Sequence, residues 1–248
     1  MLQILYGRNA VLEALRANRR RCTNITIAEG VHERGSAEAI LALAAERGVP
    51  VKRVPRGQLD DLGPINHQGV AGQFESYPYV DLSEILGVSR DTGEPPFLLL
   101  LDSLQDPQNL GTLLRTAEVV GVHGVVIPRH RAAEITPAVS NASAGAVEHL
   151  HIAQVTNLVR AMEELKEAGV WIVGVENLPE AEDYHAARLN MPLALVIGSE
   201  GHGLGHLVRE RCDLWIKLPM KGKIQSLNAA VAGSIVLYEG WRQRQGAR

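Results

Sequence analysis

Cysteine is nearly absent from this chain: of 248 residues, only Cys22 and Cys212 carry a thiol. They form neither a CxxC pair nor any zinc-type spacing, which argues against a disulfide scaffold and a structural zinc site. Aromatic residues are scarce as well, at 4%, too few for the base-stacking platform many single-strand binders use. No apolar run reaches membrane-spanning length, and the amino terminus lacks an apolar leader core. A soluble cytoplasmic protein without a membrane partner is therefore expected. An excess of positive charge is missing too. The formal net charge is -3 and the pI about 6.3, which argues against nonspecific coating of nucleic acid. A local grip on RNA stays open, because steering depends on where charge sits. Residues 1–24 hold Arg8, Arg16, Arg19, Arg20 and Arg21 against the single acid Glu13.

What the chain does have is apolar content, 46%, enough for one large core or two modest ones. Residues 1–76 alternate short helices and strands. A helix is expected over Gly7–Ala17, strands over Asn24–Ala28 and Val51–Val54, and a helix across Ser36–Arg47 with Ser36 as N-cap. Gly69–Phe74 suits a third strand. Residues 77–96 are rich in punctuation (Tyr77-Pro78, Gly87, Asp91-Thr92-Gly93, Pro95-Pro96) and read as a linker with one helical turn. From Phe97 to the end, six apolar runs have β length: Phe97–Leu101, Val125–Pro128, Leu150–Ala153, Trp171–Val175, Leu193–Ile197 and Leu214–Leu218. Helical segments lie between most of them. Continuous apolar strands alternating with helices predict an α/β domain with a parallel sheet covered on both faces. Ligands of such sheets bind at the carboxyl ends of the strands.

Three loops after strands carry unusual chemistry. The first, from Asp102, enters a helix whose apolar residues at 110, 113, 114, 117 and 120 form one stripe. Arg115 lies roughly 160° from the centre of that stripe at ~100° per residue. It faces solvent, a ligand or a partner subunit. Asn109 suits an N-cap or a polar site. The second loop is Ile197-Gly-Ser-Glu200-Gly-His202-Gly-Leu-Gly205. It is neither a Walker P-loop nor GxGxxG. Its glycines suit a tight turn or close approach to a ligand, and Glu200 disfavours a bound phosphate there. The third is Leu218-Pro-Met-Lys221-Gly-Lys223-Ile-Gln-Ser226-Leu-Asn228. It leads into a helix apolar on nearly all sides, which is expected to be buried. Ser226 there is an N-cap or a site residue.

In combination, N-L-G-T-L-L-R-T, I-G-S-E-G-H-G-L and L-P-M-K-G-K-I-Q-S-L-N-A-A-V-A resemble the three motifs of the SpoU (TrmH) family. These are RNA ribose 2′-O-methyltransferases of the SPOUT superfamily. The resemblance spans Leu98 to about Tyr238. Tyr6–Leu15 and His67–Ala71 are similar to the small ribosomal-protein-like (L30e-like) RNA-binding α/β domain that precedes the catalytic domain in some members. Similarity over the whole chain is closest to the branch acting on a 23S rRNA guanosine. A tRNA-modifying branch, resistance-type rRNA methyltransferases and a non-catalytic RNA-binding module are the alternatives.

The resemblance implies a domain at 1–76, a linker at 77–96 and a catalytic domain at 97–248 with a trefoil-knotted α/β fold. It implies S-adenosylmethionine as cofactor, contacted by Gly198, Leu218 and Leu227. Asn109, Arg115, Glu200, Ser226 and Asn228 would form the polar catalytic set. It also implies a homodimer whose active site combines residues of both subunits, and structured RNA as partner. Arg115 is sometimes assigned as general base in this family. A guanidinium is effectively always charged, so it would instead grip the phosphate beside the target ribose and favour the alkoxide, while phosphate or water takes the proton. No metal-ligand cluster is legible, and activity in chelator is expected.

Overall fold

The computed structural model describes residues 2–246 apart from residues 131, 200, 202 and 225. The chain divides into two compact units, the first comprising residues up to Pro78 together with Ile135–His149, the second Tyr79–Glu134 and Leu150 onward.

The first unit opens with β1 (Leu2–Tyr6), α1 (Arg8–Ala17), β2 (Cys22–Ala28), α2 (Ser36–Glu46), β3 (Val51–Val54), α3 (Arg56–Asp60) and β4 (Val70–Glu75). Its sheet runs β1-β4-β2-β3. β4 is antiparallel to both neighbours, while β2 and β3 are parallel. The apolar stripe of α1 (Val11, Leu12, Leu15) closes with Ile40 of α2 over Leu5, Ile25, Ile27, Val70 and Phe74 to make the core. Ser36 is the first helical residue of α2 rather than its cap. The cap position falls to Gly35 at φ 60°, a left-handed backbone that glycine adopts without strain.

The second unit begins with α4 (Leu82–Thr92). The one helical turn expected within 77–96 is thus an eleven-residue helix. A capping box starts it, with the Asp81 side chain on the backbone of Glu84 and the Glu84 carboxylate accepting from Asp81 N at 3.2 Å. Its Ile85 is fully buried in the core of this unit. There follow β5 (Phe97–Leu101), α5 (Pro107–Val119) and β6 (Gly124–Pro128). All five residues of β5 are buried, and each such large side chain stabilises the fold by about 1.5–3 kcal/mol.

The chain then returns to the first unit. α6 (Pro137–Ala142), capped by Thr136, and a 3-10 turn over Ala146–His149 pack there. The Arg20 guanidinium meets the Glu148 carboxylate in a two-pronged ion pair: Nε donates to Oε2 at 2.9 Å and Nη2 to Oε1. Their side chains are 1% and 2% exposed. Arg20 also donates to Gln3 Oε1 at 3.1 Å, and Ser140 Oγ donates to Glu148 Oε1 at 3.0 Å. Tyr77 donates its hydroxyl to Val147 O at 3.1 Å, and Asn141 Nδ2 donates to Tyr6 O at 3.0 Å. Gly145 has φ 86°, and a Cβ there would lie 2.8 Å from Asn9 O and 2.6 Å from the Glu13 Cβ. Only glycine lets this segment lie so close to α1.

The remainder is β7 (Ile152–Val155), α7 (Leu158–Glu167), β8 (Trp171–Val175), β9 (Glu182–Asp183), β10 (Leu193–Ile197), α8 (His206–Glu210), β11 (Leu214–Lys217) and α9 (Ala229–Gln245). The second sheet runs β7-β6-β5-β10-β8-β11-β9, with each adjacent pair parallel. The strand sequence reverses direction between β5 and β10, which brings the carboxyl ends of β5, β10, β8 and β11 side by side. α9 packs along α5, where Thr116 and Ser234 share a hydroxyl hydrogen bond of 2.9 Å. The expectation that α9 is buried all round fails on one side. Ala230, Gly233, Val236, Leu237 and Gly240 are buried, whereas Val231, Ile235, Tyr238 and Trp241 are exposed.

Candidate active site

The switch between β5 and β10 concentrates the three unusual loops. A cleft of about 670 Å³ opens at the carboxyl ends of β8, β10 and β11, within the roughly 300–1,000 Å³ usual for ligand sites. Its walls come from Val175–Asn177 after β8, Ile197–Ser199 with Gly201 and Gly203 after β10, Lys217, Leu218 and Met220 after β11, and Ser226–Ala229 entering α9.

The glycine-rich turn after β10 is closed by reciprocal backbone bonds. Ser199 N donates to Gly203 O and Gly203 N to Ser199 O, each at 3.1 Å. A Cβ on Gly198 would overlap the Gly203 carbonyl and approach Leu204 N to 2.7 Å. Position 198 therefore accepts only glycine if the turn is to fold back on itself. Two carboxylates brace the turn from below. Asp102, 9% exposed, donates its N–H to Ile197 O at 2.8 Å, and its Oδ2 accepts from Gly205 N at 2.7 Å. Ser103 Oγ donates to the other oxygen at 3.0 Å. Glu176 pairs with Arg209 of α8, and that carboxylate packs against Gly203 Cα. These three residues escaped the sequence reading. Only the position of Asp102, directly after an apolar strand, signals its role.

The cleft brings Gly198, Ser226, Leu218, Leu227 and Asn228 together. Ser226, Leu227 and Asn228 lie exposed at the rim. Neither Asn109 nor Ser226 is a helix cap. Asp106 caps α5, accepting from Gln108 N and Asn109 N, and Pro107 follows at the first helical position. Asn228 caps α9, its Oδ1 accepting from Ala230 N at 2.9 Å and Val231 N at 3.2 Å. The other end of the same amide donates to Asn109 Oδ1 at 3.0 Å, joining the first and third loops. Capping removes two unsatisfied amides from α9 and fixes the Asn228 side chain, so the helix start and the site share one residue. Arg115 is exposed on α5 outside the cleft lining, while Leu110, Leu113, Leu114 and Ala117 of the predicted stripe are buried. Glu200 and His202 lie outside the described residues. Lys217 directs its ammonium to the carbonyls of Leu178 and Pro179, each at 3.4 Å. Among the described residues no group of three or more His, Cys, Asp or Glu side chains could hold a metal.

Residues 96–238 match the family model of the SpoU rRNA methylases. The chain belongs to the SpoU family. It is thereby an RNA methyltransferase of the TrmH/SpoU type. Residues 4–80 match a second model, for the substrate-binding domain of RNA 2′-O ribose methyltransferases. YacO of Bacillus subtilis, assigned to the TrmH family of tRNA/rRNA methyltransferases, is 47% identical over 96% of this chain and 94% of its own length. The SpoU methyltransferase AviRb of Streptomyces viridochromogenes, solved in complex with AdoMet, superposes with a TM-score of 0.80 at 25% identity. That match covers 99% of this chain and 91% of AviRb. The A. aeolicus TrmH/SpoU tRNA modifying enzyme matches 67% of this chain and 85% of its own, with a TM-score of 0.56 and 28% identity.

Proposed function

We propose that this protein transfers a methyl group from S-adenosylmethionine to a ribose 2′-hydroxyl of RNA, a guanosine of 23S rRNA. The observation that carries the reading is the cleft in which Gly198, Leu218, Ser226, Leu227 and Asn228 converge at the switch of a parallel sheet. Its donor set fits the cofactor. Apolar walls from Val175, Ile197, Leu218 and Met220 suit an adenine ring, and the bare Cα of Gly198 leaves backbone groups open to a nucleoside. When bound, the cofactor supplies an electrophilic methyl group for in-line displacement.

The protein supplies alignment. Asn109 and Asn228, held by their mutual hydrogen bond, and Ser226 present amide and hydroxyl groups that position the target ribose, with Glu200 as the acidic member of the set. Arg115 grips the adjacent phosphate with its planar fork and favours the alkoxide. The proton leaves to phosphate or water.

Further assignments rest on the same reading. The exposed apolar side of α9 (Val231, Ile235, Tyr238, Trp241) is a face that a second copy of this chain would cover, giving a homodimer whose sites each receive Arg115 from the partner. The catalytic domain is an α/β-knot, as membership of the SpoU family implies. Residues 1–76 form the L30e-like RNA-binding domain, supported by the match over residues 4–80. Alignment over 97% of the chain with an rRNA methyltransferase of Sinorhizobium meliloti, against partial alignment with the tRNA-modifying enzyme, favours rRNA. The enzyme would work in the cytoplasm, where rRNA is assembled.

Mapping 2′-O-methyl sites on 23S rRNA with and without the protein tests the substrate; an unchanged map with altered tRNA would overturn it. Arg115→Ala is expected to abolish transfer while cofactor affinity by calorimetry stays within a few-fold. Mixing Arg115→Ala protein with Asn228→Ala protein should restore activity if the site is shared, and no restoration contradicts sharing.

A further inference from the structure

Residues 1–78 carry ten Lys and Arg against eight Asp and Glu, in a chain whose total is -3. The positive groups are not spread evenly. Where α1 ends and β2 begins, facing the end of α2, a cleft of about 480 Å³ is lined by Arg19, Arg20, Arg21 and Arg47 with Thr23 and Pro50, and by no carboxylate. Arg20 is neutralised by Glu148. Neither Arg21 nor Arg47 has a carboxylate partner among the described residues, and both are exposed.

Two helix carboxyl ends flank the cleft, and their partial negative charge is the obvious competitor for these cations. It is largely absorbed internally. Asn18 N donates to Ala14 O, Gly48 N to Ala45 O and Val49 N to Ala44 O. Arg47 Nη1 caps Leu15 O and also meets Asn18 Oδ1 at 2.9 Å. That leaves the rest of its fork of five donors for an outside acceptor. Among the described residues, Arg21 spends none of its donors on another side chain. Cys22, also in the lining, adds no negative charge at neutral pH, because burial pushes its thiol up to about 11.

We propose that this cleft is an RNA-backbone site: Arg21 and Arg47 bind phosphodiester oxygens of the substrate RNA outside the methyl-transfer site. Planar guanidinium forks match phosphate geometry bidentately. A site of exposed arginines lined by no acid, offering the Arg21 fork and the remaining donors of Arg47, contributes affinity and register rather than base readout. The inference rests on the reading of the protein as an RNA methyltransferase and locates one place where its first unit holds the substrate.

Arg21→Glu is the cleanest probe, since no side chain among the described residues is paired with Arg21. Arg21→Glu/Arg47→Glu extends it, and Arg34→Glu, exposed on the same unit but outside the cleft, makes an equal change of net charge. Full-length proteins are titrated against a labelled transcript of the 23S rRNA peptidyl-transferase region and against labelled bulk tRNA across a salt series. S-Adenosylhomocysteine affinity is measured beside them. Each lost phosphate contact should flatten the slope of log affinity against log salt by about 0.7–0.9. We expect Arg21→Glu to weaken the preferred RNA about tenfold near 0.1 M salt, with the double variant weaker still. Arg34→Glu should lie within about twofold of the parent, and S-adenosylhomocysteine binding should be unchanged throughout. An unchanged slope in Arg21→Glu overturns the site, as does an equal effect of Arg34→Glu, which would mean net charge alone. Failure of the parent protein to bind either RNA while still binding S-adenosylhomocysteine would instead strike the RNA-methyltransferase reading itself.

Discussion

Removing one partner of the Arg20–Glu148 pair should be among the most damaging single changes available in the first unit. Arg20→Met keeps much of the side-chain volume but leaves the Glu148 carboxylate, 2% exposed, with Ser140 Oγ as its one remaining side-chain donor among the described residues. An uncompensated buried charge of this kind costs about 3–5 kcal/mol. At roughly 4–8 °C per kcal/mol for a domain of this size, the melting temperature of the first unit should drop by at least about 12 °C. Much of that cost belongs to the stranded charge, not to the pair. Arg20→Met/Glu148→Leu, which removes both charges, should therefore recover most of the stability. The three tryptophans, Trp171, Trp215 and Trp241, all lie in the second unit. Far-UV circular dichroism thus reports the loss, while tryptophan emission reports the second unit separately. A drop under about 1 kcal/mol in Arg20→Met, or a double variant as unstable as the single, would refute the reasoning.

Gly198→Ala forces a methyl group into the Gly203 carbonyl; overpacking of about 1–3 kcal/mol predicts cofactor binding weakened about 5- to 150-fold by calorimetry, and unchanged affinity would show that the turn has room. Asp102→Ala strands the Gly205 N–H at a cost of about 1–3 kcal/mol. Cofactor affinity should fall correspondingly, with Asp102→Asn intermediate because its amide oxygen still accepts; equal loss in both variants would point to charge instead. Burial holds the His123 imidazole below its usual range, only partly opposed by Glu94, and its Nδ1 accepts from Phe97 N at 3.0 Å. The unfolded chain then binds the proton more readily, so this contribution is intact above the unfolded pKa of about 6.5 and is lost as pH falls below it. Melting temperatures at pH 8 and 5.5 should differ less in His123→Asn than in the parent, and an unaltered difference removes His123 as a source.

The legible part of this molecule was the part governed by local pattern. Each of the six apolar runs from Phe97 onward is a strand within two residues of its expected bounds, because a buried parallel strand must be apolar on both faces. The helix over 82–92 was hidden by Gly87 and the Asp91-Thr92-Gly93 stop, although Asp81 and Glu84 spell its capping box. Asp106-Pro107 likewise marks the true start of α5, three residues before the first apolar position. Around the candidate site, the glycines and Asn228 stand out by spacing. Asp102, Glu176 and Arg209 do not, since their partners lie 103 and 33 residues away. The exposed side of α9 is not legible because apolar residues on every face of a helix read as buried wherever its own chain leaves one side uncovered. Nothing local announces that residues 135–149 pack with the first unit.

That last arrangement bears on how the protein is made. Arg20 and Glu148 are 128 residues apart, and translation at about 5–20 residues per second separates their emergence by roughly 6–25 s. During that interval the nascent first unit has β1–β4 and α1–α3 but a bare guanidinium, and no α6, Ser140, Asn141 or Val147 to close over it. Its completion waits on about a third of the following unit, Tyr79–Glu134, so the order of synthesis is not the order of assembly.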